Sequence, residues 1–180
     1  MAVRIELLDG QPGRETFDCG ALELNEFLAR QAGQQQRKGF GKTYVALSKP
    51  GAAIAGFVTV SAGQVATKEL PPELKLPRYP VPTLRIGRLA VDKRFQGQGV
   101  GHDLLSFALR LALDFSSHVG LYAVVVDAKD GKAAGFYRRL GFRPTLDDPL
   151  CLYLPLSVLK QVSVPAAGLT VAEMREQDLL

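Results

Sequence analysis

The chain has 180 residues, of which 47% are apolar and 22% charged, with a formal net charge of +4. This is ordinary globular composition with length for one well-buried domain, expected over residues 1–162, with 163–180 as a mobile tail or partner-binding arm. Two cysteines, Cys19 and Cys151, lack metal-ligand spacing and the density of a secreted disulfide framework, so free thiols in a reducing cytoplasm are expected. No charged-then-apolar leader opens the sequence, and no apolar stretch approaches the roughly 20 residues of a membrane-spanning helix. The first 160 residues hold 21 basic against 15 acidic side chains, a surplus that favours polyanionic ligands.

Val3 to Leu8 alternates as a first strand and is broken by Asp9-Gly10-Gln11-Pro12-Gly13. Leu24, Phe27, Leu28 and Ala32 have helical spacing, which predicts an amphipathic helix over about Ala21 to Gln36. Lys42 to Ser48 and Ala53 to Thr67 read as two strands of a hairpin meander. Five prolines between Lys68 and Thr83 predict an exposed loop or lid.

A strand follows over Leu84 to Asp92, and then a helix whose apolar stripe is Gly101, Leu104, Leu105, Ala108, Leu111, Ala112 and Phe115. Leu121 to Val126 suits a strand covered on both faces. Strand, helix and strand in that order imply a crossover with parallel strands, which places the intervening turn where open α/β sheets bind ligands. A short helix over about Lys132 to Leu140 and a closing strand over Leu150 to Leu154 complete the pattern.

The turn itself reads Gln96-Gly97-Gln98-Gly99-Val100-Gly101. Glycines there permit a tight turn that exposes successive N–H groups, and the helix N-terminus adds partial positive charge. A pyrophosphate is the natural occupant, although such turns also occur as plain tight connections. A Walker loop would need Gly-Lys-Ser/Thr, but Gly101 is followed by His102 and Asp103; the dinucleotide fingerprint would need a different last spacing.

Downstream lies Asp130-Gly131-Lys132-Ala133-Ala134-Gly135-Phe136-Tyr137-Arg138-Arg139-Leu140-Gly141-Phe142. Together with LRIGRLAVD and the glycine turn, it resembles the acetyl-coenzyme A core of the GNAT superfamily of N-acetyltransferases. The resemblance implies an α/β (α+β) fold: a mixed, mostly antiparallel sheet with a central parallel β4/β5 pair flanked by helices. It implies acetyl-coenzyme A as co-substrate, with the pyrophosphate on Gln96, Gly97, Gln98, Gly99, Val100 and Gly101 and the pantetheine arm beside Leu89, Ala90 and Val91. Tyr137 matches the tyrosine that protonates the departing thiolate; the bland reading is a core aromatic. Asp130 stands where many family members have an asparagine that bonds to the pantetheine or to the helix start, a departure that leaves a helix N-cap as a sufficient explanation for it. No metal is implied.

A narrower resemblance runs through Phe17-Asp18-Cys19-Gly20, Leu24-Asn25-Glu26-Phe27-Leu28, Thr43-Tyr44-Val45, Gly87 to Asp92 and Val126 to Asp130. These stretches are similar to the GNAT toxins of type II toxin-antitoxin systems. That likeness implies the α-amine of aminoacyl-tRNA as acceptor, a ribbon-helix-helix antitoxin as partner and a homodimer. The alternatives are acetylation of a small amine or a protein, or a non-catalytic coenzyme-binding module. Arg37, Lys38, Arg78, Arg88, Lys93 and Arg94, with Lys42 and Arg85, are candidates for tRNA phosphates, each against the plain reading of a solvated charge. Arg88, inside an apolar strand, needs a partner. Glu69, Glu73 and Asp92 read as solvated charges rather than general bases, and His102 and His118 as structural or exposed.

Overall fold

The computed structural model describes residues 1–162; the expected tail over 163–180 lies outside them. Seven strands, β1 (Val3–Leu7), β2 (Lys42–Ser48), β3 (Ile54–Val65), β4 (Val81–Val91), β5 (Ala123–Asp127), β6 (Arg143–Pro144) and β7 (Cys151–Pro155), form one sheet in the order β1-β2-β3-β4-β5-β7-β6. The β1/β2, β2/β3, β5/β7 and β6/β7 pairs are antiparallel. Between β4 and β5 the pairing is parallel, from Thr83↔Ala123 to Ile86↔Val126, and β4 runs on past the last pair to Val91. The helices are α1 (Leu22–Glu26), α2 (Ala32–Arg37), α3 (Val100–Ser116), α4 (Gly131–Arg139) and α5 (Leu156–Val162).

Two compact units make up the chain. The first comprises Met1–Ser61 and Gly87–Ala108. Its core gathers Phe17, Phe27, Leu28, Ala32, Val45, Leu47 and Phe57, with Phe57 meeting Phe17 edge-on at 5.5 Å and stacking on Phe27 at 6.0 Å. The single helix expected over Ala21 to Gln36 is instead two α-helical pieces joined by a π-helical turn, Phe27–Gln31, in which the Ala32 N–H donates to Phe27 O. The extra residue in that turn lets neighbouring Phe27 and Leu28 both reach the core along with Ala32. Gly56 is buried where no side chain fits: a Cβ would sit 2.7 Å from Ala90 O and 2.9 Å from Leu104 Cδ1.

The second unit comprises, among the described residues, Ala62–Ile86 and 109–162. Its core packs Val65, Leu70, Val81, Val125 and Tyr153, with Leu74, Leu76 and Tyr122 against them. The proline-rich segment is therefore not simply exposed. Its prolines exclude regular helix but allow two 3-10 turns, Thr67–Glu69 and Pro72–Leu74, that drive Leu70 inward. The next strand begins at Val81, earlier than expected, and takes in Pro82, whose carbonyl still accepts from the Tyr122 N–H. On α3 the buried stripe includes Val100 and Leu109, and Phe115 is exposed, a drift that follows from 3.6-residue turns over a long helix. The short β6 and α5 carry no sequence signal of their own and are held by β7 and by the Leu156 N–H to Tyr122 O bond.

Candidate active site

In the first unit, β4 ends at Val91 and Asp92 starts a 3-10 turn, Lys93–Phe95, before the glycine turn and α3. Asp92 is only 2% exposed, and both its oxygens are used. Oδ1 accepts from the Arg94 N–H and Nε, and Oδ2 from Arg94 Nη2 and the Asp18 N–H, all within 2.9–3.1 Å. Burial works to raise its pKa, but the Arg94 hydrogen bonds and charge outweigh it and hold the carboxyl below its ordinary value. Asp92 is thus a buried anchor of the turn, where the sequence suggested a solvated charge.

Gly97 and Gly99 have φ of +76° and +87°, which only glycine adopts without strain, and a Cβ on either would point into open space. Gly101 differs: it lies inside the first turn of α3, so tight turning is not its role. The Gln96 amide donates to Val91 O at 3.0 Å and Cys19 O at 3.3 Å, and Gln98 donates to Arg94 O at 3.2 Å. These glutamine side chains brace the turn from behind. The first N–H groups of α3 have no intrahelical acceptor by helix geometry, which leaves them for an anion. An open, left-handed cradle at a helix N-terminus fits a coenzyme pyrophosphate.

What holds the turn came into view only with the structure. The Asp18 carboxylate accepts from the Gly20 N–H (2.9 Å) and Asn25 Nδ2 (3.0 Å), while Asn25 Oδ1 accepts from the Cys19 N–H (2.9 Å). Asp18 O in turn accepts from the Lys93 N–H at 2.8 Å, and Lys93 Nζ pairs with Asp18 Oδ2 at 3.1 Å. Gly20, Asn25 and Lys93 together lower the Asp18 pKa to about 2. The Asp18–Asn25 segment is thereby clasped to the turn that precedes α3. The Asp18 and Asn25 pattern was visible in the sequence, but its partners lie more than seventy positions away.

Three cations proposed for tRNA are engaged within the chain: Lys93 with Asp18, Arg94 with Asp92, and Arg85 with Asp127 at 2.6 and 2.8 Å. Arg88 finds its partner in Phe27, with the guanidinium 3.8 Å above the ring centroid. Arg37, Lys38, Lys42 and Arg78 are exposed. Cys19 is buried, in keeping with a packed thiol, and His118 is exposed.

In the second unit, Asp130 caps α4, its Oδ1 accepting from the Ala133 N–H at 2.8 Å. Tyr137 is 5% exposed, its ring set between Phe136 at 5.2 Å and Phe142 at 5.7 Å. The helix ends in a Schellman motif: the Phe142 N–H bonds to Tyr137 O, the Gly141 N–H to Arg138 O, and Gly141 has φ +95°. Phe142 folds back onto Tyr137, so the Gly-Phe pair fixes the tyrosine ring. Burial first, and the negative charge of Asp127 second, push the phenol pKa well up, which keeps its proton in place.

A profile described as an acetyltransferase (GNAT) domain matches residues 39–144. The chain belongs to the GNAT acetyltransferase family. It is an acetyl-coenzyme A-dependent N-acetyltransferase. It is 30% identical to the tRNA-acetylating toxin of Mycobacterium tuberculosis over 141 residues, covering 77% of this chain and 83% of that protein. Against the probable toxin TacT of Sinorhizobium fredii the identity is 24% over 169 residues, 88% of this chain and 93% of the relative. Among solved structures, AtaT complexed with acetyl-methionyl-tRNAfMet superposes with TM-score 0.82 at 29% identity, covering 89% of this chain and 99% of that one. A tyrosine-to-phenylalanine mutant of AtaT, bound to the C-terminus of the antitoxin AtaR and to acetyl-coenzyme A, superposes with TM-score 0.77 at 27% identity over 89% and 97%. This GNAT enzyme is thus a homologue of tRNA-acetylating toxins. Among its described residues no helix is long and apolar enough to cross a membrane.

Proposed function

We propose that this enzyme acetylates the α-amine of aminoacyl-tRNA in the cytoplasm and so blocks translation. The single observation that best supports this acceptor is the likeness, at 29% identity over nearly the whole of the other chain, to AtaT holding acetyl-methionyl-tRNA. The backbone of Gln96 to Gly101 takes the coenzyme pyrophosphate. Leu89, Ala90 and Val91 offer strand-edge backbone groups to the pantetheine arm, and one of those N–H groups polarises the thioester carbonyl as it gains oxyanion character. Asp130 serves α4 as its cap and lies beside the coenzyme.

The acceptor nitrogen attacks the thioester carbon, the new C–N bond forms and the C–S bond breaks. Tyr137 gives its phenolic proton to the departing thiolate. The proton balance closes because the amine loses one proton as it becomes an amide. An aminoacyl ester withdraws electrons from its α-amine, so a neutral fraction is present near neutral pH without an enzyme base. A lysine ε-amine, with pKa about 10.4, would need one.

Arg88, Arg37, Lys38 and Arg78 attract the tRNA backbone, with Lys93 and Arg94 contributing only after exchanging their present carboxylate partners. A ribbon-helix-helix antitoxin as inhibitor and a homodimer as working form complete the reading; that AtaT binds an antitoxin supports an antitoxin partner of some type. Radiolabelled acetyl-coenzyme A incubated with charged tRNA, a polyamine panel and bulk protein tests it. Label on tRNA, lost on base treatment that frees acetyl-amino acid, is the expected result; label on polyamines or protein alone refutes the acceptor.

A further inference from the structure

The end of α2 repeats the backbone motif that ends α4, with one difference. The Gly39 N–H bonds to Gln36 O, the Phe40 N–H to Gln35 O, and Gly39 has φ +80°, a complete Schellman ending. In that motif the residue after the glycine commonly folds back on an apolar residue of the last turn, as Phe142 does on Tyr137. The corresponding residue here is Gln35, and Phe40 stands 71% exposed. Its backbone is nevertheless firmly placed. The Gln36 side chain ties α2 to Leu8 O and the Thr43 N–H, and a Cβ on Gly41 would press on Thr59 and Val60 O.

Cations flank this displayed ring on both sides in the sequence. Arg37, Lys38 and Lys42 are exposed, and a Cβ on Gly33 would lie 3.4 Å from Arg37 Nη1 and 3.6 Å from Arg14 Nη1, so two guanidinium groups converge on one glycine. None of the ion pairs among the described residues uses Arg14, Arg37, Lys38 or Lys42. Along the chain Arg37, Lys38 and Lys42 have no acidic neighbour, since between Glu26 and Glu69 there is no Asp or Glu; the acids near this corner are Glu15, which adjoins Arg14, and Asp9, which follows the Leu8 whose N–H bonds to Thr43 O. Cations in excess at one corner and held in no ion pair repel one another, and a polyanion relieves that repulsion.

From this juxtaposition we infer that the corner at the end of α2 is a nucleic-acid docking surface, on which Phe40 stacks an unpaired base while Arg14, Arg37, Lys38 and Lys42 hold the adjoining phosphates. A rigid, outward aromatic among cations matches the stacking platform of single-strand binders. An acidic peptide would use the cations but has no need of an isolated ring. The inference rests on the proposed tRNA acceptor, and gives that RNA a contact patch for its unpaired residues.

The test is direct binding of uncharged bulk tRNA to the full chain, by fluorescence anisotropy across a salt series, with polyglutamate as competitor. Phe40→Ala is expected to weaken tRNA binding about ten-fold, and Phe40→Trp to retain it, because either ring offers a stacking face. Lys38→Gln and Lys42→Gln should each make the slope of log affinity against log salt shallower by about one. Melting temperature and acetyl-coenzyme A affinity of Phe40→Ala should match the parent protein. Wild-type tRNA affinity in Phe40→Ala overturns the inference, as does a loss confined to polyglutamate binding. Failure of the acceptor reading is separate: it appears as wild-type enzyme that labels no charged tRNA, whatever the Phe40 variants bind.

Discussion

Replacing Asn25 with Ala should loosen the glycine turn, of which Asn25 is not itself a part. The substitution removes two hydrogen bonds, Asn25 Nδ2 to Asp18 Oδ1 and the Cys19 N–H to Asn25 Oδ1. Asp18 is half exposed and recovers water, so the first loss is small. The Cys19 N–H belongs to a buried residue and is left without its acceptor, which costs about 1–3 kcal/mol. A total near 2 kcal/mol corresponds to a fall of roughly 4–8 °C in melting temperature for a chain of this size. Because Asp18 O and Cys19 O hold Lys93 and Gln96, the turn then samples other conformations and the KM for acetyl-coenzyme A rises several-fold, while kcat changes little. Asn25→Asp sharpens the test. It keeps an acceptor for Cys19 but sets a second carboxylate against Asp18, so it should be at least as damaging as Ala. Thermal melts and steady-state kinetics on both variants decide the matter. An unchanged KM in a variant whose melting temperature has fallen would show that the clasp stabilises the fold but does not position the turn.

Tyr137→Phe should lower kcat about 10²–10⁴-fold with acetyl-coenzyme A affinity, measured by calorimetry, nearly intact; full activity would assign the acid elsewhere. With its pKa raised, the phenol should impose no alkaline fall on kcat below its ordinary value of about 10, which a pH–rate profile can read. Gly56→Ala should destabilise by about 1–3 kcal/mol, since its Cβ meets a backbone oxygen at 2.7 Å that cannot swing aside, and denaturant unfolding would report it. Asp18 has a folded pKa of about 2 against about 3.9 when unfolded. Its stabilisation is therefore present above the unfolded value and lost as pH falls through the folded one. Acid unfolding of the parent protein should steepen over that window, and Asp18→Asn should flatten it.

How far the sequence could be read depended on the range over which each residue acts. Most strands and α3 followed from periodicity because their side chains alternate between core and solvent along a few consecutive positions. The glycine turn was legible for the same reason: its chemistry is backbone chemistry, fixed by Gly97 and Gly99 locally. Leu70 was not, since the prolines around it predict irregular backbone but say nothing of what lies beneath. Nor could the π turn be foreseen, because Phe27, Leu28 and Ala32 fit an α-helix nearly as well until Phe57 fixes where they must pack. The largest gap concerned charge. Asp92, Arg94, Lys93 and Arg85 look like solvated or nucleic-acid-binding side chains one at a time, and their internal pairing depends on contacts across the fold.

The two Schellman endings show how little sequence separates a packing device from a display device. Both place a phenylalanine directly after a left-handed glycine, at Gly141-Phe142 and Gly39-Phe40. Three residues before each glycine's preceding cap, the first has Tyr137 and the second Gln35. With an aromatic there, the phenylalanine gains a ring to pack on and in return fixes the Tyr137 phenol. With an amide there, no apolar surface rewards folding back, and the same backbone geometry projects the ring toward solvent. Gln35→Leu therefore tests the logic of both sites at once. It should draw Phe40 down, raise stability by about 0.5–1 kcal/mol through the recovered apolar contact, and weaken tRNA binding even though every cation is retained. A stabilised variant that still binds tRNA as tightly as the parent would separate the exposure of Phe40 from any role in docking.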